Sequence, residues 1–425
     1  MTATIGYAFG NIDCELGTQL AGFNAVRPCT SIHKSLYARL LLIRSTSDYC
    51  FIQMDTICID DDFLDLIASR LAKFGVEKKN IIASATHTHS GPSGLKNTES
   101  GIFKGLEGLF GKYNSVLANR YADVIESLFL KAESTLADFC MRYGSSSIEG
   151  VASERHDASL PSDNRLVVME FLTAENKKIL YYNYPCHPTI LNGSSTVISS
   201  DLPSGVIDAF GDEYEMIMFI NGSCGDISTR FTRKESTTHQ ITVFGQIIKD
   251  KIETTLHALP YTQLNTIEFK PFDVSLKVKR FASQAEAESV LKAAQDELDE
   301  GTRKQLSKNE LRLLLSVVEG ATTNVAFCRN FGSIAKVALH LTAFTINELK
   351  FVTVPAELFS SLSNPLREKY ELIFIGYTNG YFMYITDRSA FEKGYYESFS
   401  TIFALGEGEV LMNEIEKQFI QSKIF

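Results

Sequence analysis

Short apolar runs broken by turn-forming clusters set the pattern along the first half of the chain. Residues 36–43 and 50–59 read as two strands around the turn Ser45-Thr46-Ser47-Asp48. Phe63, Leu64, Ile67 and Leu71 then recur at helical spacing and stop before Gly75, which predicts a helix over 61–74. An apolar strand over 81–85 follows, so the opening reads β-β-α-β. A long amphipathic pattern predicts a helix over 114–138, and strands are predicted at 139–148, 164–173 and 178–186. Asp201 stands where it can cap a helix that opens on Leu202-Pro203. A further strand is predicted over 216–220, a helix over 242–258 and a strand over 264–280. Residues 283–320 are charged and helix-prone, the pattern of a helical insertion with a solvated outer face. Strands resume at 335–354 and 372–377.

The length of 425 residues favours two or three domains on size alone. The chain nevertheless has no repeat, low-complexity tract or linker, so a single α/β unit over 1–425 is expected.

Composition narrows the partners. A formal charge of −10 argues against nucleic acid and gives no attraction to an anionic membrane. No apolar run approaches the roughly 20 residues of a spanning helix, so no transmembrane segment is expected. The start Met1-Thr2-Ala3-Thr4-Ile5-Gly6-Tyr7 lacks a basic, apolar leader pattern, and a cytoplasmic location is expected. None of the eight cysteines forms a Cys-x-x-Cys pair, so buried free thiols are expected.

Candidate chemistry begins where the 81–85 strand runs into Thr86-His87-Thr88-His89-Ser90-Gly91-Pro92. In extended chain, side chains at i and i+2 share a face, so His87 and His89 can look into one metal or catalytic site. The strand ending at Cys186 delivers His187 into a Pro turn in the same way. Strand 216–220 ends in Asn221-Gly222-Ser223-Cys224-Gly225-Asp226-Ile227-Ser228, where small residues let the backbone approach a ligand. For Asp226 the residues alone leave turn stabilisation and catalysis equally open. The glycine-rich stretch 94–112 has the composition of a mobile rim or lid beside the histidines.

These pieces together resemble the N-terminal catalytic domain of the neutral (non-lysosomal) ceramidase family. Thr86-His87-Thr88-His89-Ser90-Gly91-Pro92 is the most specific match. Cys186-His187-Pro188-Thr189, Gly225-Asp226-Ile227-Ser228, Val354-Pro355-Ala356-Glu357 and Tyr381-Phe382-Met383-Tyr384-Ile385-Thr386 follow in the family's order, over roughly residues 4–405. The resemblance implies an α/β fold of two mixed β-sheets packed face to face with helices outside. It implies a zinc ion (Zn2+) held by His87, His187, Glu357 and Tyr384, and an activity that hydrolyses N-acyl amides such as ceramide through metal-activated water. His89, Ser228, Asp226 and Arg155 would be the neighbouring catalytic residues, with His89 or Asp226 supplying a proton to the leaving amine. Tyr384 has a second reading, as a hydrogen-bond donor to the oxyanion. The chain departs from the family in carrying Asn11-Ile12-Asp13-Cys14 for Asp-Ile-Thr-Pro, and Glu154-Arg155-His156-Asp157 for Asn-Arg-Ser-Pro. With the given chain ending at Phe425, the family's immunoglobulin-like C-terminal domain is expected to be absent.

Two other functions fit the same residues. One is a metal-dependent hydrolase of a small polar, non-lipid substrate, which a shallow polar pocket would favour over an apolar tunnel. The other is a non-catalytic metal-binding protein, which a closed four-ligand cage would favour.

Overall fold

The computed structural model describes residues 3–23, 27–281 and 283–421; the leader reading at Met1-Thr2 and the chain end at Phe425 fall outside them. An eight-stranded sheet forms its centre, in the order Met216–Asn221, Lys178–Tyr184, Arg165–Thr173, Ala137–Ser147, Thr4–Asn11, Tyr37–Arg44, Asp48–Met54, Ile81–Ala85. The inner pairs are antiparallel and the two outermost pairs are parallel. Each parallel pair needs a crossover, which the helices Asp61–Ala72 and Leu202–Phe210 provide. In parallel sheets ligands gather beyond the carboxyl ends of strands, and His87 and His187 sit just past two such ends.

A second sheet, in the order Ile267–Lys277, Lys336–Ile346, Leu349–Thr353, Leu372–Ile375, covers one face of the first. Leu41, Ile43, Phe51, Ile82, Tyr181 and Met218 of the first sheet share a core with Phe344, Ile346, Phe351 and Ile373 of the second. The Phe51 ring lies 5.6 Å from Phe269 and 5.8 Å from Phe344. Leu40, Leu42, Ile52, Ala83 and Leu180 alternate with those residues and face the outer helices instead. Burial on both faces explains why these strands read as continuous apolar runs. Each large side chain so buried contributes about 1.5–3 kcal/mol. The expected α/β arrangement of two packed mixed sheets with outer helices is what the chain adopts.

Several boundaries differ from the sequence reading. Thr4–Asn11, which no pattern singles out, is a central strand. A Cβ on Gly6 would meet the Ala132 carbonyl oxygen at 2.0 Å, so glycine is what lets the helix Ser115–Ser134 lie against that strand. The run 50–59 leaves the sheet at Met54, where the Asp55 carboxylate accepts from Tyr37 N–H at 2.9 Å and pairs with Arg39 at 3.1 Å. The helix expected over 242–258 begins earlier, as Thr238–Leu256.

The insertion is a hairpin of the helices Gln284–Arg303 and Lys308–Phe331, each opened by a Ser-x-x-Glu capping box. It continues past 320 because Ala321, Phe327 and Phe331 are buried. Its second helix contains a segment, Glu310–Phe331, long and apolar enough by length and composition to cross a membrane. Arg312 and Glu319 interrupt its apolar pattern, which is why the expectation of no spanning segment does not register it. The 94–112 stretch is packed rather than free. Leu95, Phe103 and Leu106 are buried, and Lys96 Nζ donates to the Tyr381 carbonyl at 3.1 Å while lying 3.9 Å over the Phe103 ring.

Candidate metal centre

Curvature of the first sheet brings its two edges together. Asn221, at the end of one edge strand, is fully buried and joins the segments that carry the histidines. Its Nδ2 donates to the carbonyls of Thr86 (3.3 Å) and Cys186 (3.1 Å), and its Oδ1 accepts from Cys186 N–H (3.2 Å). Each contact is to the residue just before a histidine.

His87 itself holds φ at +66°, a left-handed conformation that costs a non-glycine residue about 1–3 kcal/mol and clusters at functional sites. The main chain over-determines it. His87 N–H donates to Thr56 O at 2.9 Å, and Asn379 of the second sheet's final loop brackets the preceding strand through Ile81 and Ala83. That loop lays the Tyr377 ring on His87 at 4.2 Å.

Glu357 arrives from the second sheet, on a short strand paired in register with Tyr384. A Cβ on Gly225 would come within 2.6 Å of the Glu357 carbonyl oxygen, so this turn tolerates only glycine at that approach.

Four ligand-type atoms converge. His87 Nε2 is 3.2 Å from His187 Nε2 and 3.3 Å from His89 Nε2. Glu357 Oε2 is 3.1 Å from His187 Nε2 and 3.4 Å from His87 Nε2. The hydrogens of two rings are fixed elsewhere: His87 Nδ1 donates to Ile57 O at 2.7 Å, and His187 Nδ1 to Cys224 O at 2.8 Å. Their Nε2 lone pairs therefore face each other and a carboxylate.

Burial lowers the pKa of His187 to about 4, with the charges of His87 and Arg155 adding to the fall against Glu357. Burial also holds His89 well below its ordinary value, reinforced by His87 and His187. For Glu357 burial acts upward, but the two imidazoles outweigh it and keep the acid well below the usual carboxylate range. Lone pairs gathered in a buried space with Glu357 Oε2 left without a hydrogen-bond partner fit a cation. Neutral imidazoles with one carboxylate suit zinc.

The surrounding shell is aromatic and charged. Tyr381 donates its hydroxyl to Glu357 Oε1 at 2.5 Å, the orienting contact that metal-site carboxylates usually carry. Burial pushes the Tyr384 phenol well above its ordinary value, Glu357 adding to the rise and Arg155 opposing it. Arg155 is buried, with Cζ 5.7 Å from the Tyr384 ring centre and a 2.6 Å pair to Glu397. The structure thus places Arg155 beside Tyr384 despite its unusual sequence neighbours.

Asp226 takes the turn-stabilising place. Its oxygens accept from Ser360 N–H (2.7 Å), Ser360 Oγ (2.8 Å) and Ser361 N–H (3.4 Å), which caps the helix Ser360–Tyr370 from another segment. Both oxygens accept hydrogen bonds there, in keeping with the turn-stabilising one of the two readings left open for this residue. Burial raises its pKa to about 6 against those hydrogen bonds. Ser228 is buried beside His187 through main-chain pairing, and its Oγ accepts from Arg230 N–H at 3.2 Å.

Sequence reasoning missed Asn221, Tyr377 and Glu397 and gave Tyr381 no role. Asn221 and Tyr381 lie inside quoted motifs, so position beside a ligand was the available signal. Nothing in Tyr395-Tyr396-Glu397 marks a buried carboxylate.

No protein-family model and no curated protein matches the sequence. Solved structures do match. The crystal structure of neutral ceramidase from Pseudomonas aeruginosa aligns with a TM-score of 0.75 at 16% identity, covering 97% of this chain and 73% of that chain. A ceramidase complexed with C2 aligns with a TM-score of 0.73 at 16% identity, covering 97% and 74%. At that identity the likeness establishes architecture, and the chain has the neutral-ceramidase fold over nearly its whole length.

Proposed function

We propose that this protein is a zinc-dependent hydrolase that cleaves the C–N bond of an N-acyl amide. The observation that carries this reading is the meeting of His87 Nε2, His187 Nε2 and Glu357 Oε2 within 3.1–3.4 Å, with both ring hydrogens fixed on carbonyls. His87, His187 and Glu357 would hold the ion. Bound there, zinc supplies Lewis acidity and lowers the pKa of water from about 15.7 towards about 7.

The chain's own groups do the rest. His89, with its Nε2 at the same cluster, takes the proton from the attacking water and returns it to the departing amine. Tyr384, kept protonated, donates to the carbonyl oxygen as negative charge develops on it. Arg155 holds Tyr384 in place and adds positive charge to the same wall. Ceramide is the reference substrate because neutral ceramidase is the protein whose fold this chain shares.

The test is amine release from N-acyl amides, ranging from long-chain ceramide to short acyl amino compounds, before and after chelation. Chelator-sensitive release from any of them supports the reading. No release with zinc confirmed bound overturns it in favour of a metal-binding protein.

A further inference from the structure

The cavity beside Arg155 is one aromatic layer from the candidate metal centre. Tyr396, in its wall, packs 5.7 Å from the Tyr384 ring, and Arg155 lies over both rings. The far side is Leu313, Ser316 and Val317 of the helical hairpin. A volume of about 210 Å³ is below the 300–1,000 Å³ usual for a whole ligand, so it suits a head group.

Its charges do not balance. Four cationic side chains, Arg155, His156, Arg230 and Lys393, face it with one carboxylate, Glu397. Glu397 is fully buried and already pairs with Arg155 at 2.6 Å and with His156 Nε2 at 2.7 Å. Glu154 pairs with the other nitrogen of His156, and Asp157, on the exposed side, acts on Lys393 only at a distance.

Arg230 donates Nη1 to the Arg155 carbonyl at 2.9 Å, and Lys393 lies 5.5 Å from the Tyr395 ring centre. Among the described residues neither of them forms an ion pair. Arg155, more than nine-tenths buried in this wall, keeps its Nε–H without a partner. Burial, with smaller contributions from the neighbouring Arg155 and Arg312, lowers the pKa of Arg230 to about 10 against Glu397.

We infer that this cavity binds an anionic group, a carboxylate or phosphate, through Arg230 and Lys393. That the anion belongs to a substrate rests on the amide-hydrolase reading; the binding site itself does not. Arginine suits planar or tetrahedral oxyanions because its fork donates two parallel hydrogen bonds. A neutral ceramide head group would leave these cations unpaired.

The test uses three probes with one acyl chain: N-lauroylglycine, N-lauroyl-O-phosphoethanolamine and neutral N-lauroylethanolamine. Binding to the zinc-loaded protein is measured by calorimetry, and amine release is measured in parallel. Expected is binding of an anionic probe at least about tenfold tighter than the neutral one. Arg230→Gln and, separately, the exposed-site variant Lys393→Gln should each shrink that ratio, with the thermal midpoint recorded to confirm folding. The better of the two anionic probes identifies carboxylate or phosphate. Equal or tighter binding of the neutral probe overturns the inference. A preserved ratio in both folded variants also overturns it. Anion-selective binding without amine release would sustain the inference and leave the amide-hydrolase reading to be decided by the wider panel, ceramide included.

Discussion

His87 and His187 point their Nε2 atoms at each other across 3.2 Å while each donates its Nδ1 hydrogen to a main-chain carbonyl. Neither ring can supply a hydrogen between them without giving up its carbonyl or becoming a cation, and burial opposes that charge on His187. A metal ion held between them would resolve the conflict. The protein is therefore expected to bind one zinc ion, and His187→Ala to lose it. Chelation should lower unfolding free energy by about 4 kcal/mol relative to protein given zinc at about a thousandfold its Kd. Metal analysis together with denaturant titration checks both, and a wild-type chain indifferent to chelator would remove the metal from the site.

Asn221 is the link between the two histidine segments. Asn221→Ala strips partners from Thr86 O, Cys186 O and Cys186 N–H in a fully buried place. The expected cost is about 3 kcal/mol of stability, since unsatisfied buried groups keep their full desolvation penalty. Because the contacts position His87 and His187, zinc affinity should fall as well. Loss of stability with unchanged zinc affinity would reduce Asn221 to a purely structural role.

How far the sequence reaches is visible in these two examples. His87 and His187 were legible because each follows an apolar strand and precedes a proline turn, a local pattern with a local meaning. Asn221 was not, because its role depends on sheet curvature that brings residues 86, 186 and 221 together. The central strand Thr4–Asn11 was hidden by Gly6 and Gly10, residues that weaken a strand pattern yet admit the neighbouring helix. The residues around Asp226 leave turn stabilisation and catalysis equally open, and only tertiary contact with Ser360 reveals its carboxylate at a helix start.

Tyr381 and Tyr384 separate two kinds of support. Tyr381→Phe removes the 2.5 Å hydrogen bond to Glu357 Oε1 without altering any imidazole. Zinc affinity is expected to weaken by about 10- to 100-fold, the usual effect of losing an outer partner of a ligand. Tyr384→Phe should instead retain zinc and lower kcat by about 10²–10³-fold, as expected for a lost donor to developing oxyanion charge. Zinc titration and kinetics on both variants decide the assignment. Zinc loss in Tyr384→Phe would make that phenol a metal ligand rather than a donor.

His156 gives the fold a pH-dependent component away from the metal cage. Its ring lies between Glu154 (Nδ1, 2.5 Å) and Glu397 (Nε2, 2.7 Å) and stacks on Tyr395 at 3.7 Å. Burial opposes its charge, but Glu397 and Glu154 prevail and raise its pKa from 6.5 to about 8. The folded state thus holds this proton more tightly than the unfolded chain. The resulting stabilisation, roughly 2 kcal/mol, is fully present below pH 6.5 and is lost as pH rises through about 8. Glu397, lowered to about 2 by Arg155 and His156 against burial, contributes above its ordinary value near 4.5 and loses that only as pH falls towards 2. Between pH 6.5 and 8.5 the histidine therefore governs this cluster. Denaturant titrations across that range should show stability declining in the wild type and a flatter profile in His156→Gln. Equal slopes in the two proteins would mean that the cluster does not hold the proton on His156.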